Sequence, residues 1–155
     1  MLVQYPLAAS TALPSPVPGP ARSASRPARE PGARCVLVVD DEPLVRWAIA
    51  ETLRWHGYQI AEAGNAGQAL RALANPDLVP DVLVLDLRLP DCVDLRLLAT
   101  IRSLRPSLPV ILMTAFGTPE LRDEAWRLGA FAILDKPFEL DVLGSLVGRA
   151  SSAGR

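Results

Sequence analysis

Three short runs of apolar residues constrain the fold more than any other feature of this sequence. They occupy residues 36–39, 82–85 and 110–113, and none of them is interrupted by a polar residue. A strand with one face in water alternates apolar and polar residues, whereas a strand covered on both faces is apolar throughout. The runs therefore predict a parallel sheet buried between two layers of helices.

Segments with the spacing of amphipathic helices separate these runs. Apolar residues three or four positions apart recur between the strands, as at Val45, Ile49 and Leu53. The residues expected to end the first four helices are Gly57, Pro76, Pro106 and Gly129. With further strands predicted at 59–63 and 131–134 and a last helix at 140–149, the order is βα repeated five times. We therefore predict an α/β fold, a doubly wound sheet of five parallel strands with five helices.

The first 33 residues differ in composition from the rest of the 155-residue chain. They contain seven of the fifteen prolines, together with many Ala and Ser. Because proline has no amide hydrogen and a fixed φ, such a stretch is not expected to form a packed element. We predict a disordered extension over residues 1–33, one domain over 34–150 and a flexible tail over 151–155. The extension is interpreted either as a tether or weak docking segment, or as a solvated tail.

Charge and hydropathy exclude several classes of function. Sixteen basic and seventeen acidic residues give a formal charge of -1, which does not favour general binding to polyanions. No apolar run approaches the roughly 20 residues of a membrane span, and the first residues lack the features of a secretory signal. Cys35 and Cys92 form no CxxC pair, so neither a zinc site nor a disulfide scaffold is indicated. We expect a cytoplasmic protein that contacts neither membranes nor, directly, nucleic acids.

Polar residues end four of the predicted strands. Asp40 and Asp41 follow the first, Asp86 follows the third, Thr114 ends the fourth, and Lys136 lies at the end of the fifth. Ligands bind at the carboxyl ends of strands in doubly wound sheets, so these side chains are expected to converge. Each also has an ordinary explanation, because Asp41 could begin a helix, Asp86 could open a turn and Thr114 could cap a helix.

The predicted convergence of three carboxylates indicates a cation. Two carboxylates about 4 Å apart repel by about 4 kcal/mol at an effective dielectric constant of about 20, so Asp40, Asp41 and Asp86 require a counter-charge. An all-oxygen ligand set favours Mg²⁺ over zinc or copper. Lys136 is the only Lys among the sixteen basic residues, and its compact ammonium suits a crowded pocket better than a guanidinium does.

This set of residues resembles the receiver domain of bacterial two-component response regulators, in its stand-alone, single-domain form, over residues 34–150. The resemblance implies a flavodoxin-like receiver fold in which Asp40, Asp41, Asp86 and the backbone carbonyl of Arg88 bind Mg²⁺. It also implies that Asp86 is the phosphoacceptor and that the Thr114 hydroxyl and the Lys136 ammonium assist it. Pro137 occupies the position at which the family has a cis-proline.

The resemblance implies a signalling switch and not a turnover enzyme. A sensor histidine kinase or a phosphotransfer protein would donate the phosphoryl group, and the domain would catalyse its own phosphorylation and dephosphorylation. The resulting conformational change would signal to a downstream effector protein. The alternative is a receiver-like interaction module that works without phosphorylation. Nucleotide binding is not indicated, because GxxxxGK[ST] and GxGxxG are both absent.

The sequence departs from the family's pattern at Phe116 and Ile133, and Trp47 requires an interpretation of its own. Phe116, two residues after Thr114, is predicted to restrict attacking water and to lengthen the lifetime of the phosphoryl group. Ile133 replaces the family's switch aromatic, and Phe131, two residues earlier, is either its substitute or, as we favour, a core residue. Trp47 is predicted on the outer face of the first helix, where it contacts a phosphotransfer helix or is covered by the extension or by neighbouring helices.

Overall fold

The computed structural model describes residues 32–153, in which five strands alternate with five helices. The elements are β1 (Cys35–Val39), α1 (Pro43–Trp55), β2 (Gln59–Ala63), α2 (Ala66–Ala74), β3 (Val82–Asp86), α3 (Arg96–Leu104), β4 (Val110–Thr114), α4 (Pro119–Arg127), β5 (Ala132–Asp135) and α5 (Leu140–Ala153). The extension predicted at residues 1–33 lies outside the described residues, apart from its last two.

The strands form one parallel sheet in the order β2-β1-β3-β4-β5. Every residue of β1, β3 and β4 is buried, as their unbroken apolar sequences predict. Edge strand β2 is only partly buried, which explains its weaker apolar pattern. Val36 of β1 pairs with both Ile60 of β2 and Val82 of β3, so the strands are in register and their carboxyl ends meet at one edge. The predicted fold class is confirmed.

Helices cover the sheet on both faces. Helices α1 and α5 pack on one face, and α2, α3 and α4 pack on the other. Successive side chains of each central strand point to opposite faces of the sheet, so alternate residues pack in the two cores. The first core is built around Val36, Val38, Ile49, Leu53, Val84, Ile111, Leu143 and Val147. The second is built around Leu37, Val39, Leu73, Leu83, Leu85, Leu98, Ile101 and Leu112.

The glycines predicted to end α1 and α4 have the left-handed conformation that closes a helix. Gly57 has φ of 84° and Gly129 has φ of 83°, a region that residues with a Cβ rarely adopt. After Gly57, the amide of Tyr58 donates to the carbonyl of Leu53 at 3.1 Å, which satisfies an otherwise unpaired carbonyl of the last turn. Gly57 and Gly129 thus set the directions in which the chain enters β2 and β5.

Helix α5 is longer than predicted. It continues through Ala153, three residues into the segment 151–155 that the sequence analysis assigns to a flexible tail. Ser151 is buried, and its hydroxyl accepts a hydrogen bond of 2.6 Å from Nη1 of Arg34, just before β1. This contact gives the last turn a packing partner from the far end of the domain, which local sequence does not reveal.

None of the helices in the described part of the chain has the combination of length and hydropathy needed to cross a bilayer.

Candidate functional site

The candidate site lies where the order of the strands reverses. Strand β1 stands between β2 and β3, so the chain leaves β1 toward one side of the sheet and returns on the other. Such a switch point opens a crevice above the carboxyl ends of the strands. Asp40 follows β1 directly and Asp86 is the last residue of the neighbouring β3. The two acids therefore face each other across the crevice.

Lys136 bridges the two acids. Its Nζ donates to Oδ2 of Asp40 at 2.8 Å and to Oδ2 of Asp86 at 3.2 Å. Asp40 is fully buried and Asp86 is 5% exposed, while the side chain of Lys136 retains 17% exposure. Because a buried carboxylate without a partner is strongly destabilising, a single ammonium placed between two of them stabilises both.

Backbone amides fix the orientation of the two carboxylates, and an arginine holds the backbone of Asp40. The amide of Glu42 donates to Oδ1 of Asp40 at 2.8 Å, and that of Arg88 donates to Oδ1 of Asp86 at 3.2 Å. Nη1 of Arg46, in the first turn of α1, donates to the carbonyl of Asp40 at 2.6 Å. Each carboxylate thus has one oxygen held by the backbone and one by Lys136.

Burial and charge shift the pKa values of this pair. Burial raises the pKa of Asp86, and the ammonium of Lys136 only partly offsets that effect. Burial acts to lower the pKa of Lys136, but its hydrogen bond to Asp40 and the charges of both acids outweigh it and raise the pKa. Lys136 is therefore firmly cationic, which suits a group that must attract negative charge.

Asp41 completes a group of acids that could hold a metal ion. One carboxylate oxygen from each of Asp40, Asp41 and Asp86 lies within 4.8 Å of the others. Asp41 is exposed, in contrast to the two buried acids, so the cluster opens to solvent on one side. Three carboxylate oxygens with an open side fit a hard divalent cation such as Mg²⁺, which retains water ligands.

Thr114 and Lys136 lie on adjacent strand ends. Thr114 ends β4, is almost fully buried, and accepts a hydrogen bond from the amide of Phe116 at 3.2 Å through its hydroxyl. Its carbonyl accepts from the amide of Lys136 at 2.8 Å. The peptide bond between Lys136 and Pro137 is cis, as the family resemblance implies. The structure thus brings all the acids, the hydroxyl and the ammonium predicted from sequence to one edge of the sheet.

Phe116 and Arg88 form a contact above this edge that the sequence analysis did not anticipate. The guanidinium carbon of Arg88 lies 5.3 Å from the centre of the Phe116 ring, within the range of a cation–π interaction. Phe116 is 70% exposed, so the contact lies at the surface. The two residues belong to different loops, after β3 and after β4, which explains why no local pattern pointed to their pairing.

Phe131 does not substitute for the missing switch aromatic. It precedes β5 and packs with the core beneath α1 and α5, whereas Ile133 packs with the core beneath α2, α3 and α4. The prediction that residues 131 and 133 share a face assumed that the strand already included residue 131, but β5 begins at Ala132. The preferred interpretation of Phe131 as a core residue agrees with this packing.

The comparison with protein families agrees with the fold and the residues at this edge. The family model for the response regulator receiver domain matches residues 36–147. This match spans four complete strands, all but the first residue of β1, and most of α5. The chain belongs to the response regulator receiver family. Receiver domains are not turnover enzymes.

Two regulators illustrate how the receiver domain occurs in longer proteins. Residues of this chain are 40% identical over 115 residues to regulatory protein AtoC of Escherichia coli, covering 74% of this chain and 24% of AtoC. They are 40% identical over 106 residues to the probable transcriptional regulatory protein TcrX of Mycobacterium tuberculosis, covering 68% of this chain and 44% of TcrX. The chain therefore spans about a quarter of AtoC and less than half of TcrX.

Two solved receiver structures resemble almost the whole described part of the chain. A CheY-like receiver domain protein from Methanospirillum hungatei superimposes with a TM-score of 0.72 at 25% identity, covering 78% of this chain and 96% of that one. The chemotaxis response regulator CheY4 of Vibrio cholerae gives a TM-score of 0.69 at 27% identity, covering 76% and 98%.

Removal of the exposed acid should weaken Mg²⁺ binding to this receiver domain. We expect Asp41→Asn to raise the dissociation constant for Mg²⁺ by about tenfold, because one carboxylate ligand loses its charge. Isothermal titration calorimetry measures this constant directly. Asp123→Asn, which neutralises an exposed acid on α4, is the matched control and should leave binding unchanged. Equal affinities in both variants would contradict a metal site at the acidic cluster.

Proposed function

We propose that this receiver domain is a phosphorylation-dependent switch that accepts a phosphoryl group on Asp86. The observation that carries the proposal is the arrangement of Asp86, Asp40 and Lys136. The buried carboxylate of Asp86 lies in the crevice, where the ammonium of Lys136 binds it and also binds the neighbouring carboxylate of Asp40. Such a site can neutralise the charge that a phosphoryl group brings.

The proposed transfer needs only nucleophilic attack and electrostatic support. A carboxylate oxygen of Asp86 forms a bond to phosphorus as the bond from phosphorus to the imidazole nitrogen of a donor phosphohistidine breaks. The electron pair of that bond leaves with the nitrogen. Lys136 and the Thr114 hydroxyl stabilise the added oxygens, because each can donate a hydrogen bond to them.

The three acids of the cluster, together with the backbone carbonyl of Arg88, would hold Mg²⁺. When bound, the ion supplies positive charge that offsets repulsion between the carboxylates and the incoming phosphoryl oxygens. Asp40 keeps Lys136 close to Asp86, and Asp41 faces the open side from which a donor would approach.

The proposed output is a movement of the loops that follow β4 and β5. The hydroxyl of Thr114 is bound to the amide of Phe116, and Lys136 is bound to both buried acids. New phosphoryl oxygens on Asp86 would accept a hydrogen bond from the Thr114 hydroxyl and would compete with both acids for Lys136, and so would displace the loops that carry these residues. A downstream effector protein would read the change, and the exchange would take place in the cytoplasm.

The outer face of α1 is the proposed contact for the phosphodonor. Leu44 is 81% exposed and Trp47 is 61% exposed, so neighbouring helices do not cover Trp47. Both lie within six residues of Asp41, near the mouth of the site. Exposed aromatic residues commonly anchor protein interfaces, so a sensor histidine kinase or phosphotransfer protein is the proposed partner.

Phosphorylation of Asp86 can be tested with purified protein. In the presence of Mg²⁺ and acetyl phosphate, intact-mass spectrometry should show the gain of one phosphoryl group. Asp86→Asn removes the nucleophilic oxygen while it preserves size, and should abolish the gain. A wild-type protein that gains no mass would favour an interaction module that works without phosphorylation.

The lifetime of the phosphoryl group should depend on Phe116. Its ring contacts Arg88, two residues after Asp86, and we propose that the two side chains restrict the approach of attacking water. We expect Phe116→Glu to accelerate phosphoryl loss several-fold, because a carboxylate can orient water, and Phe116→Leu to change it little. The decay of the phosphorylated mass after removal of the donor gives the rate. Loss within seconds in the wild type, unchanged in Phe116→Glu, would exclude a shielding role.

Trp47→Ala should separate partner binding from chemistry. For a histidine kinase that phosphorylates the wild-type chain, we expect the transfer rate at low protein concentration to fall about tenfold, since an interface anchor is lost. The rate with acetyl phosphate should not change. Trp55→Ala, at the other end of α1 and 89% exposed, is the matched control. Equal losses with both phosphodonors would indicate damage to the fold or to Asp86 itself.

A further inference from the structure

Arg122 of α4 connects the two loops next to the site. Its Nη2 contacts both carboxylate oxygens of Asp135, the last residue of β5. Its Nε donates to the carbonyl of Gly117, in the loop between β4 and α4, at 3.3 Å. One side chain therefore attaches α4 both to the preceding loop and to the end of the neighbouring strand.

Both attachment points lie next to residues of the site. Asp135 is the strand partner of Thr114 in the pairing of β4 with β5, and it immediately precedes Lys136. Gly117 follows Thr114 by three residues, and a Cβ on Gly117 would lie 3.1 Å from Cγ2 of Thr114 and 3.2 Å from Nε of Arg122. The Thr114 methyl group and the Arg122 guanidinium thus lie close enough to Gly117 that a side chain at this position would be crowded.

The usual aromatic route between Thr114 and α4 is absent from this chain. Ile133 occupies the switch position and Phe131 packs on the opposite side of the sheet. A branched aliphatic side chain has no ring to rotate between a buried and an exposed position. The contacts of Arg122 provide a route that joins the same two regions through polar groups.

We propose that Arg122 is a positioning residue whose pairing with Asp135 holds α4 and the β4–α4 loop in the arrangement seen here, and so opposes activation. The inference rests on the proposed phosphorylation of Asp86. Movement of Thr114 and Lys136 toward a group on Asp86 displaces Gly117 and Asp135 together. The distances from α4 to Gly117 and to Asp135 then change, and the ion pair between Arg122 and Asp135 is weakened.

The exposure of Arg122 and Asp135 to solvent limits how strongly their ion pair can oppose activation. The side chain of Arg122 is 33% exposed and that of Asp135 is 60% exposed, so water screens their attraction. Loss of a pair of this kind should shift a two-state equilibrium by about two- to fivefold. The pair therefore sets how readily the domain responds, while the groups around Asp86 determine whether it responds.

The test measures binding of beryllofluoride, a phosphoryl mimic, to the full chain in saturating Mg²⁺. Fluorine NMR gives the half-saturating concentration of beryllofluoride. The fluorescence emission of Trp126, which is half-exposed on α4, reports changes in the surroundings of this helix. The variant Trp126→Phe identifies which part of the emission comes from Trp126. Arg122→Met and Asp135→Asn should each lower the half-saturating concentration by about two- to fivefold. Arg122→Lys should give an intermediate value, because it keeps the charge without the second contact.

The double variant and a matched control distinguish a coupled pair from two independent effects. In the Arg122→Met background, Asp135→Asn should cause no further change, because the pair is already broken. Arg127→Met removes a solvent-facing pair with Glu124 on the same helix and should leave binding unchanged. A contact that merely supports the fold would lower the unfolding temperature without tightening beryllofluoride binding.

The outcomes separate this inference from the proposed function. Unchanged or weaker binding in Arg122→Met, or fully additive effects of the two substitutions, would overturn the role of Arg122 while wild-type binding still supports Asp86 as the acceptor. Absence of wild-type binding, or equal binding by Asp86→Asn, would overturn both proposals at once.

Discussion

The shared ammonium of Lys136 is the interaction on which the site depends. Two buried carboxylates a few ångströms apart repel each other, and each has lost much of its hydration. Lys136 lies within hydrogen-bonding distance of both, at 2.8 Å from Asp40 and 3.2 Å from Asp86. Without this cation, at least one acid would be protonated or would move into solvent. At Asp86 the ammonium offsets part of the rise in pKa that burial causes, and so favours the ionised carboxylate that a nucleophile requires.

The topology of the sheet makes this interaction possible. Buried parallel strands end at one edge, and the reversal of strand order at β1 leaves an open crevice there. The acids come from the ends of two adjacent strands, β1 and β3, and the ammonium follows β5, which is two positions from β3 and three from β1. The site is therefore assembled from positions separated by as many as 96 residues in sequence.

The sequence predicts those features of the molecule that a short local pattern of residues determines. Unbroken apolar strands, a glycine after a helix and a charged residue after a strand each have a local signature, so the fold and the residues of the crevice could be inferred from them. The features that the sequence analysis did not predict depend on contacts between segments that are distant in sequence. Ser151 in the last turn of α5 bonds to Arg34, which precedes β1. Phe116 and Arg88 come from two different loops. Arg122 of α4 pairs with Asp135 at the end of β5.

A domain with this architecture can act as a switch because its strong and its weak interactions lie in different parts of the structure. The packing of the two cores involves several kcal/mol and holds the sheet unchanged in either state. The contacts that differ between states lie in the loops after β4 and β5, where Thr114 binds one amide and Arg122 forms one exposed ion pair. Such contacts contribute about 1 kcal/mol or less each. A new charge at Asp86 can therefore rearrange these loops without unfolding the sheet that positions it.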